Sequence, residues 1–244
     1  DLGTFDFRVK VPGRPSSQYA FRATRRSSGE AVERPMSTTL DGGWGFGAFQ
    51  PEACNFCDDI FAETADVVFA DAWLPEYTAD WRGTNIVVSR SARASELLLS
   101  GAARDEITLE PLSLDKVAAS QAGNFRHRRD GLRVRLADDH DAGLSIPRKR
   151  VEPGRDHVTP QRVRLIRQRR SMSANSLEWF AEAKATGDLS RYTGPMAAAI
   201  AAQLAAGLVL DSMGAFGFQR LPIDPYRMAG VLLLFLGAFL VLKR

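Results

Sequence analysis

The last fifty residues constrain this chain more than any other part of it. From about Thr193 charge nearly disappears, and "GPMAAAIAAQLAAGLVLDSMGAFGF" is followed by "MAGVLLLFLGAFLVLKR" at the end of the chain. A bilayer crossing needs about 20 mainly apolar residues, and the stretch Met196–Phe218 meets that length. The second run, Met228–Leu242, is shorter, with Tyr226 and Arg227 before it and Lys243 and Arg244 after it as interfacial anchors. Ala198, Ala202 and Ala206, four residues apart, suit close helix packing in lipid. This pattern predicts a C-terminal two-helix transmembrane hairpin over 193–244, preceded by a separate domain over 1–192. With both ends on one side of the membrane, the domain is expected in the cytoplasm, anchored in the inner (cell) membrane by a multi-pass tail. A buried hairpin of a soluble protein is the competing reading.

The first 192 residues read as a mixed α/β domain with a central sheet. "FDFRVKV" and "QYAFRAT" alternate apolar and polar residues around a "GRPSS" turn, which predicts two strands. "ADVVFADAW", "TNIVVSRS" and "DEITLEPL" predict three more strands. "DDIFAET" predicts a short helix capped by Asp58 or Asp59, "RASELLLSGA" a helix ended by Gly101, and "SLDKVAASQ" another. "TPQRVRLIRQRRSMS" fits a basic helix. "SANSLEWFAEAKATGDL" fits an amphipathic one, capped at Ser173 or Asn175 and stopped by Gly187. Charge is uneven: the net value is +3, yet residues 126–170 carry 14 Lys and Arg against 6 Asp and Glu. Such a stretch faces an anionic partner or is a solvated surface. Nucleic acid is not among the expected partners.

Two cysteines in 244 residues make no disulfide framework. They stand as Cys54-x-x-Cys57 after a Gly- and aromatic-rich loop. Three readings of the pair stay open from the residues alone: two of the four ligands of an iron–sulfur cluster, a pair of redox or structural thiols, or half of a zinc site. His127, His140 and His157 lack the spacing of a zinc-binding histidine pair. Gln121, Asn124, Arg126 and Arg128 cluster in "SQAGNFRHRRDG", where amide and guanidinium donors could meet a flavin edge or its pyrophosphate. No glycine-rich dinucleotide fingerprint or P-loop occurs.

The segment "CNFCDDIFAETADVVFADAW", with "GTNIVVSRS" after it, resembles the C-terminal domain of the coenzyme F420 hydrogenase/dehydrogenase beta-subunit family. The matching residues are Cys54, Cys57, Asp58, Glu63, Asp66, Asp71, Trp73, Gly83 and Arg90, and the likeness extends over about residues 1–192. It implies an electron-transfer oxidoreductase with FAD and a [4Fe–4S] cluster, served by a redox partner protein or electron carrier. Cys54 and Cys57 would then be two cluster ligands, and the other two are expected outside this chain, because it opens at Asp1 in what reads as the middle of a longer protein. Arg90, Gln121, Asn124, Arg126 and Arg128 would be the cofactor-binding residues, with Arg90 paired to Glu63 or Asp66 or to a flavin phosphate. A membrane-tethered accessory protein of polysaccharide synthesis is the alternative, as is a non-catalytic remnant with an incomplete site. The tail resembles the closing two helices of drug/metabolite transporter-type membrane proteins, through Gln203, Leu204, Asp211, Gly214, Phe216, Gly217, Phe218, Pro222, Arg227 and Gly230.

Overall fold

The computed structural model describes residues 1–39, 46–213 and 224–242. It divides into two compact units. One comprises Asp1–Thr39, Cys57–Leu132 and Lys149–Val151; the other comprises Leu40–Phe56, Arg133–Arg148 and Glu152–Arg244.

In the first unit, alternation makes strands where it has a partner. Strands β1 (Leu2–Val9), β2 (Ala20–Arg25) and β3 (Ala31–Pro35) form an antiparallel sheet in chain order. Asp6 lies opposite Arg22, and Arg22 in turn lies opposite Glu33. Phe5 stacks on Phe21 at 6.0 Å between ring centroids. Strands β4 (Val67–Asp71) and β5 (Asn85–Ser89) pair antiparallel, from Val67 opposite Ser89 to Asp71 opposite Asn85. A short helix α2 (Pro75–Thr78) lies in their connection. The single central sheet expected from the sequence is therefore replaced by two small ones, among the described residues.

Helix α3 (Ala92–Ala103) starts where expected, with the Ser91 hydroxyl accepting from the Ala94 N–H. It does not stop at Gly101. That glycine is buried within the helix and lies beside the Ile107 side chain, 3.5 Å from where a Cβ would stand. "DEITLEPL" forms no strand: its apolar residues Ile107 and Leu109 are exposed on a segment with no strand partner. Helices α4 (Leu114–Ser120) and α5 (Ala122–Phe125) follow, and a π-helical turn (Arg126–Asp130) leads into α6 (Gly131–Asp141).

The second unit is helical. A four-residue helix α1 (Glu52–Asn55) carries Cys54. The two helices expected around residue 173 are one, α7 (Pro160–Thr186). Thr159 caps it by accepting from the Arg162 N–H, and Gly187 ends it in the left-handed conformation at φ 70°. Ser173 does not break the helix, because its hydroxyl donates to the Arg170 carbonyl 2.8 Å away within the same turn. Helix α8 (Ser190–Met213) packs on α7, and α9 (Pro225–Leu242) packs along α8.

The transmembrane hairpin expected for the tail is not confirmed. Among the described residues no helix is long and apolar enough to cross a membrane. The first proposed span begins inside a protein core: Tyr192, Met196 and Ile200 of α8 are buried with Met172 and Ala183 of α7, under Trp179, Phe46 and Ala48. The Gly214–Phe218 end of that span and Pro222 lie outside the described residues.

Met196 is fully buried in this cluster. Replacing it with Ala should cost about 2–5 kcal/mol of stability, read as a lower urea midpoint with an unchanged slope. An unaltered midpoint would mean that α8 does not pack on α7 in this way.

Candidate functional site

The segment from Cys57 to Asp66 has no regular secondary structure, so its carbonyls need partners from elsewhere. Arginines supply them. The Arg90 guanidinium donates to the carbonyls of Phe61 (3.1 Å), Ala62 (3.4 Å) and Ala65 (3.1 Å). The Arg90 main-chain N–H donates to the Asp66 carbonyl at 2.8 Å. Arg128 Nη1 donates to the Asp59 carbonyl and lies 3.5 Å from Cys57 Sγ. Arg150 donates to the Glu63 carboxylate, and its own N–H reaches Asp58 Oδ2 at 3.3 Å. Lys149 Nζ adds a longer pairing to Asp58 at 3.8 Å. Phe61 meets Phe125 edge-on at 6.1 Å.

Asp58 and Asp59 therefore cap no helix, contrary to the sequence expectation. Asp59 instead accepts from the Glu63 N–H in a tight turn at 3.2 Å. Arg90 does not pair with Glu63 either; that carboxylate goes to Arg150. Burial alone would raise the Asp58 carboxyl. The Arg150 N–H and the charges of Lys149 and Arg150 outweigh it and hold the group below its ordinary value. The Arg150 side chain, bonded to Glu63, does the same there.

Cys57 is half-buried in this loop, and its thiol lies 3.6 Å from the Asp59 carbonyl. Cys54 is exposed on α1, in the second unit, where arginines again fix the backbone. Arg135 Nε donates to the Asn55 carbonyl at 2.7 Å, and Arg170 bridges Glu52 and Asp139 while lying 5.4 Å from the Phe56 ring. Asn55 Nδ2 donates to Glu52 at 2.7 Å. Burial, followed by the nearby charge of Arg170, pushes the Arg135 guanidinium down to about 10. The basic stretch of 126–170 is thus largely consumed inside the protein: Asp138 alone takes both Arg155 and Arg167.

Among the predicted cofactor-binding residues, Gln121 and Asn124 are brought together, with Asn124 Nδ2 donating to Gln121 Oε1 at 2.8 Å. Gln121 is buried, and its Nε2 donates to the Asp71 carbonyl at 2.8 Å. Arg90 and Arg128 are committed to the cysteine loop. Arg126 is exposed at the start of the π-helical turn. Sequence reasoning missed Arg129, whose Nη1 is buried with no hydrogen-bond partner among the described residues. It also missed Arg8, which pairs with Asp71 at 2.6 Å and lies over the rings of Tyr19 and Trp73. The alternation of "FDFRVKV" was the available signal, since it sets Arg8 on the face opposite Phe5 and Phe7. Among the described residues, no group of three or more His, Cys, Asp or Glu side chains is placed to hold a metal ion.

Comparison with known families shows what the cysteine segment is similar to. Residues 7–115 match the family described as the C terminus of the coenzyme F420 hydrogenase/dehydrogenase beta subunit. This segment is similar to that family. The match covers the Cys57 loop, β2 to β5, the end of β1 and α3, and ends before the π-helical turn. Residues 191–240 match a second family, described as "Putative inner membrane exporter, YdcZ", over a short segment that suggests membrane association. Neither a curated protein nor a solved structure matches the chain.

The Arg150 contacts set an acid limit. Asp58 and Glu63 both titrate below their ordinary 3.8 and 4.5 in the folded state. Their contribution is therefore fully present above about pH 5 and lost as pH falls through the folded values. Arg150→Gln should lower the melting temperature at pH 6, and the difference from the parent protein should shrink as pH falls below the ordinary carboxylate values. Parallel curves across that range would contradict the assignment.

Proposed function

We propose that this chain contributes one part of a flavin- and iron–sulfur-dependent electron-transfer protein, with Cys54 and Cys57 as two thiolate ligands of a [4Fe–4S] cluster. The observation that carries the proposal is Cys57 Sγ beside the Arg128 guanidinium, on a loop whose carbonyls Arg90 pins. A loop fixed by arginine donors suits cluster ligation. The C-x-x-C spacing and the family match of residues 7–115 support the same reading.

The residues present fit half of the group. A [4Fe–4S] cluster takes four cysteine thiolates, this chain owns two, and the remaining two are proposed to come from outside it. When bound, such a cluster supplies one-electron transfer. This chain's residues hold two sulfurs, shield one side of the loop with Phe61 and Phe125, and place positive charge beside it.

For FAD the fit is narrower. Gln121, Asn124, Arg90 and Arg128 spend donors on the protein itself, which leaves exposed Arg126 and the unpartnered Nη1 of Arg129 for an anionic cofactor. A soluble electron carrier or a redox partner protein would complete the transfer. The tail is proposed to keep this unit at a membrane: Leu232, Leu233, Phe235 and Leu236 of α9 are all exposed, which suits an apolar face lying in the interface.

Anaerobic reconstitution of the full chain with ferrous iron and sulfide, followed by metal and sulfide analysis, tests the cluster. Bound iron should stay well below the roughly four per chain of a complete [4Fe–4S] cluster, and should vanish in Cys54→Ser and Cys57→Ser. A full cluster on the chain alone would overturn the shared coordination shell. Iron retained equally by both serine variants would overturn the ligand assignment.

A further inference from the structure

Within the first unit, a small polar pocket forms where the end of β1 meets the ends of β4 and β5. Arg8, Lys10, Ser16, Asp71, Trp73 and Gly83 line it. Nothing in the redox proposal uses this pocket, and its test stands apart from that reading.

Three features make it a built anion site rather than a crease. The first is charge. Arg8 and Lys10 bring two cations against the single carboxylate of Asp71, and that carboxylate is already engaged by Arg8 Nη2 at 2.6 Å. Half-buried Lys10 makes no ion pair or hydrogen bond among the described residues. The Arg8 Nε–H is buried and likewise lacks a partner among them. The buried Arg8 Nε–H is thus left without a protein acceptor, which costs free energy.

The second feature is backbone shape. Gly83 sits at φ +75°, and a Cβ there would stand 3.1 Å from Lys10 Nζ. Glycine adopts this conformation without strain, whereas a Cβ there would be strained and would make the Lys10 ammonium shift. The Gly83 N–H is tied to the Asp80 carbonyl at 3.0 Å, which fixes the wall.

The third is rigidity. Arg8 is flanked by the rings of Tyr19 at 5.5 Å and Trp73 at 5.9 Å. Ser16 is buried and bonded through its N–H to the Thr78 carbonyl at 2.9 Å. On the far side, Gln121 holds the Asp71 carbonyl. The Arg8 guanidinium is therefore held in place before any ligand binds, which lowers the ordering cost of binding.

We infer that this pocket binds the phosphate group of a small phosphorylated ligand, with Lys10 as its principal charged contact. A phosphate matches unspent cationic donors at close quarters, where charge-assisted hydrogen bonds are the strong ones. The surplus of one positive charge over Asp71 leaves room for a bound anion.

Calorimetric titration of the full chain with inorganic pyrophosphate tests the site. Saturable binding is expected, weakened about tenfold or more in Lys10→Gln. Arg164→Gln, which removes an exposed arginine of α7, is expected to bind like the parent protein. Thermal melts of both variants report whether they are folded. If folded Lys10→Gln binds as well as the parent, or if the parent shows no saturable binding, the site is overturned. An equal loss in Arg164→Gln would assign binding to the basic surface at large and overturn the pocket as well.

Discussion

A loop without helix or strand satisfies few of its own carbonyls, in this one that of Ala62 from the Ala65 N–H, and this constraint organises the cysteine segment. Between Cys57 and Asp66 the chain turns tightly, with Ala62 at φ 44°. The polar groups left over are met by three arginines from distant parts of the sequence. Arg90 takes three carbonyls, Arg128 takes one and reaches the Cys57 sulfur, and Arg150 takes the carboxylates of Asp58 and Glu63. Each guanidinium presents several donors in a fixed plane, so one side chain can hold several points of a loop at once. A lysine in the same place would supply a point charge without that planar fork.

The same logic operates around α1 in the second unit. Its four residues are too few to be stable alone, and Arg135 and Arg170 hold them through the Asn55 carbonyl and the Glu52 carboxylate. The arginine-rich stretch, which in sequence suggests an anionic partner, is in large part internal mortar. Burying guanidinium groups is costly unless each is paired and hydrogen-bonded, and the Asp138 and Asp139 pairings meet that condition.

Much of this was legible in the sequence where the signal is local. Alternation marked β1 and β2, apolar runs marked β4 and β5, and "RASELLLSGA" marked α3. The non-local parts were not legible. β3 is a short polar strand, "AVERP", formed because β2 offers it an edge. "DEITLEPL" carries the same alternation but finds no partner. Asp58 and Asp59 look like helix caps, yet Arg150 lies 92 positions away in sequence from Asp58 and takes that carboxylate instead. In the tail, apolar composition alone could not distinguish a lipid-facing helix from one whose Tyr192, Met196 and Ile200 bury against α7. The family likeness held for residues 7–115 and 191–240, the parts that carry its spaced motifs. It could not say which donors remain free for a cofactor, because that depends on what each arginine already holds.

The central claim is that arginine-to-carbonyl bonding, rather than local secondary structure, holds the Cys57 loop in place. Amide hydrogen exchange read by mass spectrometry in Arg90→Ala tests it most directly. The account predicts faster exchange confined to peptides covering residues 57–66, with β1–β2 protection unchanged. Unchanged exchange across 57–66 in the folded variant would contradict it.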